Sequence, residues 1–153
     1  MSRTLRSILS LAALAALVLG SVASTTAGGA KVLDARMAGI PPGAPTLHGL
    51  TGGGVAWSIE EGRTMLFSDG RLHVEVQGLV VAASGVNPIG TGRAVLTCSS
   101  EAAARSPIVP FSPAGDAEVN TILELPATCL APAVFFVGIT GTGAERWFAV
   151  TGW

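Results

Sequence analysis

Side chains able to act as bases, nucleophiles or metal ligands are few and scattered along the 153 residues. There are two histidines, His48 in a Gly- and Pro-rich stretch and His73 in an alternating polar and apolar run. A Ser–His–Asp relay needs a histidine beside an activated serine. No G-x-S-x-G motif occurs, and the strand-to-helix turn it requires has no helix to enter. His73 therefore reads as a polar-face strand residue and His48 as a linker residue. Glu60, Glu61, Glu75, Asp116, Glu118 and Glu124 supply carboxylates for a glycosidase pair, but aromatics total only 5% and Tyr is absent, which argues against a sugar-lined cleft. Asp34, Asp69 and Asp116 are too isolated for a calcium loop. Gly90/Gly92 and Gly141/Gly143 lack the following helix and lysine of a phosphate loop, so they read as turn glycines. The expectation is a protein that is not an enzyme, with no catalytic residues, no cofactor and no metal.

Cys98 and Cys129 are the only cysteines. Zinc takes three or four protein ligands, and neither cysteine has a CxxC partner or a nearby histidine. The pair is instead expected to form a disulfide, the state favoured in an oxidising compartment.

The N-terminus supports that compartment. Residues 1–27 combine Arg3 and Arg6, an unbroken stretch of helix formers from Ile8 to Leu19, and small residues at Ser21-x-Ala23 and Thr25-x-Ala27. This is the three-part pattern of a secretory signal peptide, with cleavage expected after Ala27 and with Ala23 and Ala30 (in Gly28-x-Ala30) as the alternative sites. The apolar stretch is shorter than the roughly 20 residues that span a bilayer. No membrane span is expected after cleavage. The remaining chain would carry 7 basic and 10 acidic side chains, a formal charge of −3, which argues against a nucleic-acid partner. Ala and Gly are abundant, and Arg far outnumbers Lys, of which Lys31 is the one copy, a bias of high-GC bacterial genomes.

The elements that must position any site read as strands. Residues 28–53 hold Pro41, Pro42 and Pro45 among many glycines, and are expected to form a leader strapped over the domain or left flexible. Ala35–Ile40 has the pattern of one short strand or turn. From residue 54 to 153, apolar runs recur about every ten residues between turn signals, with no helical period. The clearest is Arg71–Gln77, preceded by the hairpin signal Asp69-Gly70. Glu101–Arg105 has the composition of one helical turn but is too short to stand alone. These features predict an all-β fold, an antiparallel β-sandwich of about eight strands in meander or Greek-key order, preceded by the signal-peptide helix. Trp57, Phe67, Phe111, Phe136 and Trp147 are the expected large core residues. Cys98 is expected at the end of one strand and Cys129 in the connection around Pro126–Pro132.

Several segments together carry a resemblance: AWSIEEG, SDGRLHVEVQGLVV, Cys98, PFSPAGDAEVNTILELPATCLAP and the terminal WFAVTG. Over residues 54–152 the chain resembles a group of small exported bacterial single-domain β proteins without assigned activity. The resemblance implies fold and export and no site residues. The function expected is a non-catalytic binding or structural module at the cell envelope or outside the cell, with a protein or glycan partner. The alternative is a small-ligand or glycan-binding module in which exposed Trp57 and Trp147 stand beside Arg71 and His73. An exported hydrolase is the less favoured third reading.

Overall fold

The computed structural model describes residues 28–152; the expected signal-peptide helix and Trp153 lie outside them. Strands and turns account for the regular structure of these residues, without a helix. The hairpin of β3 (Glu61–Phe67) and β4 (Arg71–Gln77) forms where Asp69-Gly70 predicts it. Its loop has three residues and Gly70 alone has positive φ, at 86°. This is therefore a turn with a left-handed last residue rather than a two-residue type I′ turn. A side chain at Gly70 would also strike the Leu123 carbonyl, whose own amide donates to Gly70 O at 2.8 Å. Leu72, Val74 and Val76 are buried, while Arg71, His73, Glu75 and Gln77 take the other face. On its second side β4 pairs with β9 (Ala117–Ile122).

The other half of the molecule is built from β6 (Thr91–Cys98), β7 (Glu101–Arg105), β10 (Ala133–Ile139) and β11 (Glu145–Thr151). Glu101–Arg105 is a strand rather than a helical turn. Five residues cannot repay helix nucleation, whereas the edge of β6 offers backbone partners. Ser99 and Ser100 close that hairpin at φ 52° and 71°, two left-handed residues in a row without a glycine. Short pieces complete the set: β2 (Trp57–Ser58) pairs with β5 (Val80–Val81), and β8 (Val109–Pro110) pairs with β6.

The halves are joined by β1 (Lys31–Gly39), a nine-residue strand inside the expected leader. Lys31–Arg36 pair with β3, and Met37–Gly39 pair with β11. The expected pair of sheets is thereby joined into one antiparallel path, β7-β6-β10-β11-β1-β3-β4-β9, curled into a half-barrel. Three neighbour pairs, β4–β9, β6–β10 and β11–β1, are far apart in sequence, so the order is not a simple meander.

After Gly39 the chain does form a strap. Its Thr51 carbonyl accepts the Trp147 amide at 3.0 Å, and the Gly53 amide donates to Trp147 O at 3.1 Å. Trp147 Nε1 donates to Pro45 O at 3.3 Å. His48 Nδ1 lies 2.8 Å from Thr97 Oγ1, and its ring meets the Phe135 ring edge-on at 5.4 Å. Covered on both faces, Val134–Val137 are 0% exposed, as the near-continuous apolar run requires.

The aromatic core has two parts. Trp57 stacks on Phe148 at 3.9 Å and lies near Phe111, which meets Phe136 edge-on. Phe135 and Trp147 meet edge-on at 5.6 Å. Of the expected core aromatics, only Phe67 differs. Alternation gives the inner position to Leu66 and leaves Phe67 half-buried on the outer face, with the Arg71 guanidinium 4.2 Å from its ring. Cys98 and Cys129 form the expected disulfide, closing 31 residues of separation. The bond fastens the long connection between β9 and β10 to the end of β6, beside the hydrogen bond from Ser99 N to Leu130 O.

Two stability effects follow. Replacing both cysteines with serine lowers stability by roughly 3–4 kcal/mol in the chain-entropy account, read as a lower urea midpoint. The Trp57 indole N–H is buried without a hydrogen-bond partner, while that of Trp147 has Pro45 O. Trp147→Phe is therefore more destabilising than Trp57→Phe by about 1 kcal/mol; equal losses in denaturant titrations contradict this assignment.

Candidate binding face

Among the described residues, no strap lies over the outer face of β3, β4 and β9. The register sets its side chains in rows across the strands. Arg63, Glu75 and Glu118 form one row, and Met65, His73 and Asn120 form the next. In the third, Arg71 stands opposite Ile122, which is 71% exposed. A shallow depression of about 410 Å³ runs between Phe67, Arg71, His73, Asn120 and Ile122.

His73 is held by its neighbours. Its Nδ1 lies 2.6 Å from Asn120 Oδ1 and 3.9 Å from Glu118 Oε1, and its Nε2 lies 4.0 Å from Glu75 Oε2. Glu75 and Glu118 face each other directly in the register, an unfavourable like-charge pair. The two carboxylates address opposite nitrogens of the ring, so the three groups do not share a coordination point. Among the described residues no group of three His, Cys, Asp or Glu side chains is placed to hold a metal ion. No helix of the described residues is long and apolar enough to cross a membrane.

Arg71 is committed at its other end. Its Nε donates to Asp69 Oδ2 at 2.8 Å, and the same carboxylate oxygen accepts the Gly29 amide at 2.9 Å. The Arg71 side chain first, then the Gly29 amide, hold the Asp69 carboxyl well below the usual range, at about 2. Ser68 N donates to Ala30 O at 2.8 Å, so the start of the described chain is fastened to the β3–β4 turn. On the neighbouring strand, the Asp34 carboxyl is lowered by hydrogen bonds from Lys31 and then Arg63.

The structure separates the expected ligand contacts. Arg71 and His73 share the outer face, but Trp57 and Trp147 are 4% and 0% exposed. They cannot form the expected stacking platform, because both rings fill the aromatic core and Trp147 is covered by the strap. Asn120 and Ile122 join the face through the non-local pairing of β9 with β4. The alternation of AEVNTI marks them as outward, but no local signal places them beside β4. Comparison with known proteins returns no matching family, no similar curated protein and no similar solved structure.

The Asp69 anchor carries a pH signature. Because the folded carboxyl titrates below its ordinary 3.8, its contribution is present above that value and is lost as pH falls through about 2. The Gly29 amide resonance is expected to shift with an apparent pKa near 2, and Asp69→Asn abolishes that titration. A midpoint at the ordinary carboxylate value contradicts the anchor.

Proposed function

We propose that this protein is an exported, non-catalytic binding module that makes its contacts through the outer face of β3, β4 and β9. The observation that carries this reading is the unequal treatment of the two outer faces. The β10–β11 face is covered by the chain's own strap, through Thr51, Gly53, Pro45 and His48. The β3–β4–β9 face is left open by the described residues, with Ile122 at 71% exposure beside Arg71, His73 and Asn120. Arginine, aromatic and apolar side chains together are the composition of protein-binding surfaces. The partner is a protein of the cell envelope or the surrounding medium. The glycan reading stands second and rests on Arg71, His73 and Asn120 alone, since both described tryptophans are internal.

Export is supported by the cystine, which persists in oxidising compartments. It is also supported by the position of Gly28–Ala30, fastened to the β3–β4 turn directly after the small residues at Thr25-x-Ala27. The abundance of Ala and Gly, with Arg far outnumbering Lys, supports a bacterial source. The test has two readouts. Intact mass of protein recovered from outside the cytoplasm is expected to give a chain starting at Gly28 with no free thiol. Retention on washed envelope fractions is expected to fall at least about tenfold in His73→Ala/Ile122→Asp, a loss of about 1.4 kcal/mol. The distant surface change Val86→Asp is expected to leave it unchanged. Retention equal in all variants would refute the binding face, and a chain keeping residues 1–27 would refute cleavage.

A further inference from the structure

We infer that β7 is a self-complementary edge that pairs antiparallel with β7 of a second copy, giving a twofold dimer. The paired strands of this inference lie outside the binding face, and the two surfaces share only their rim at Thr121 and Ile122. β7 ends the strand path, so one of its edges has no strand partner among the described residues. Its sequence is Glu101-Ala-Ala-Ala-Arg105. Antiparallel pairing about Ala103 sets Glu101 of each copy opposite Arg105 of the other, with only alanine methyl groups between them. The opposite end of the path, β9, lacks this property. Pairing it with itself sets Glu118 opposite Thr121, and β8 already lies against it.

Edge strands are ordinarily protected by a central charge, a proline or a strong twist. β7 has its charges only at the ends, with opposite signs, and no proline. It does carry a bulge at Ala103, where Leu96 and Thr97 of β6 face Ala104 and Ala102, so Ala103 faces no β6 residue. Beside the free edge, a groove of about 420 Å³ between Ala103–Arg105 and Thr121–Glu124 leaves room for a further strand.

Charge and apolar exposure point the same way. Glu145 receives two arginines, Arg93 at 3.4 Å and Arg105 at 3.2 Å, so this cluster has one positive charge in excess. Glu101 makes no ion pair among the described residues. The twofold brings each unpaired Glu101 to the other copy's Arg105. The two most exposed large apolar side chains of the described residues, Ile122 and Leu130, border this region. Ile122 lines the groove, and the Leu130 carbonyl accepts the Ser99 amide at the β6–β7 turn. Five paired residues make a small interface, so the dimer is reversible and concentration-dependent.

Sedimentation equilibrium of the purified, disulfide-bonded protein tests this. Wild type is expected to show a monomer–dimer equilibrium. Glu101→Arg and Arg105→Glu each place like charges across the twofold and are expected to weaken association at least about tenfold. In a one-to-one mixture, β7 of the first variant is positive at both ends and β7 of the second is negative at both ends. Opposite charges then meet at each end of the paired strands, and association is expected to recover as a heterodimer. Near-UV circular dichroism checks that each variant keeps its fold. A wild type that stays monomeric at millimolar concentration overturns the inference. So does association unaffected by either variant, or a mixture that fails to associate when both variants are folded.

Discussion

β1 hydrogen-bonds to two strands that are otherwise remote from each other. Lys31–Arg36 complete the edge of β3, and Met37–Gly39 complete the edge of β11. Without it, two sheets would each present an unpaired edge, and buried amides on both would lose their acceptors. The remaining architecture follows from that sharing. β1 sets the curl that encloses Leu66, Val74 and Val119 against the aromatic core. It also sends the chain outward at Ile40, whose carbonyl accepts the Trp57 amide at 3.0 Å.

Where β1 leaves β11, the chain returns to fill the same place. Residues 51–53 bracket Trp147 with one accepted and one donated backbone hydrogen bond, in a short parallel bridge. The intervening loop covers Phe135 and Trp147, each of which gains about 1.5–3 kcal/mol from full burial. A Gly- and Pro-rich segment suits this task, since it can lie flat on an apolar face without demanding a strand partner for every amide. The outer face of β3–β4–β9 receives no such cover from the described residues. Its side chains are therefore polar at most positions, and Phe67 and Ile122 stand out against that background.

Local signals in the sequence were sufficient for the β3–β4 hairpin, for the inward and outward alternation of β4, for the all-β class and for the cystine. Asp69-Gly70 and the period-two run carry their own geometry. Two features were hidden in whole or in part, each for a physical reason. β1 was legible only in part: Ala35–Ile40 reads as a short strand or turn, whereas the start at Lys31 and the pairing with two distant strands have no local signal. The β6–β7 hairpin turns on Ser99 and Ser100, residues with no intrinsic preference for left-handed φ, so Glu101–Arg105 looked helical by composition. Trp57 and Trp147 are internal, as the expected core requires, and the alternative of an exposed stacking platform falls with them. Of the expected contact set, Arg71 and His73 share a face because they belong to one strand. Asn120 and Ile122 reach it by pairing with a strand remote in sequence, which no local pattern encodes.

Native-state hydrogen exchange across β1 tests the central claim most directly. If β1 joins the two halves, the hydrogen-bonded amides of Lys31–Gly39 exchange only through the same global opening as those of β10. Exchange of the β1 amides at rates near those of an unstructured chain, while β10 stays protected, would contradict it.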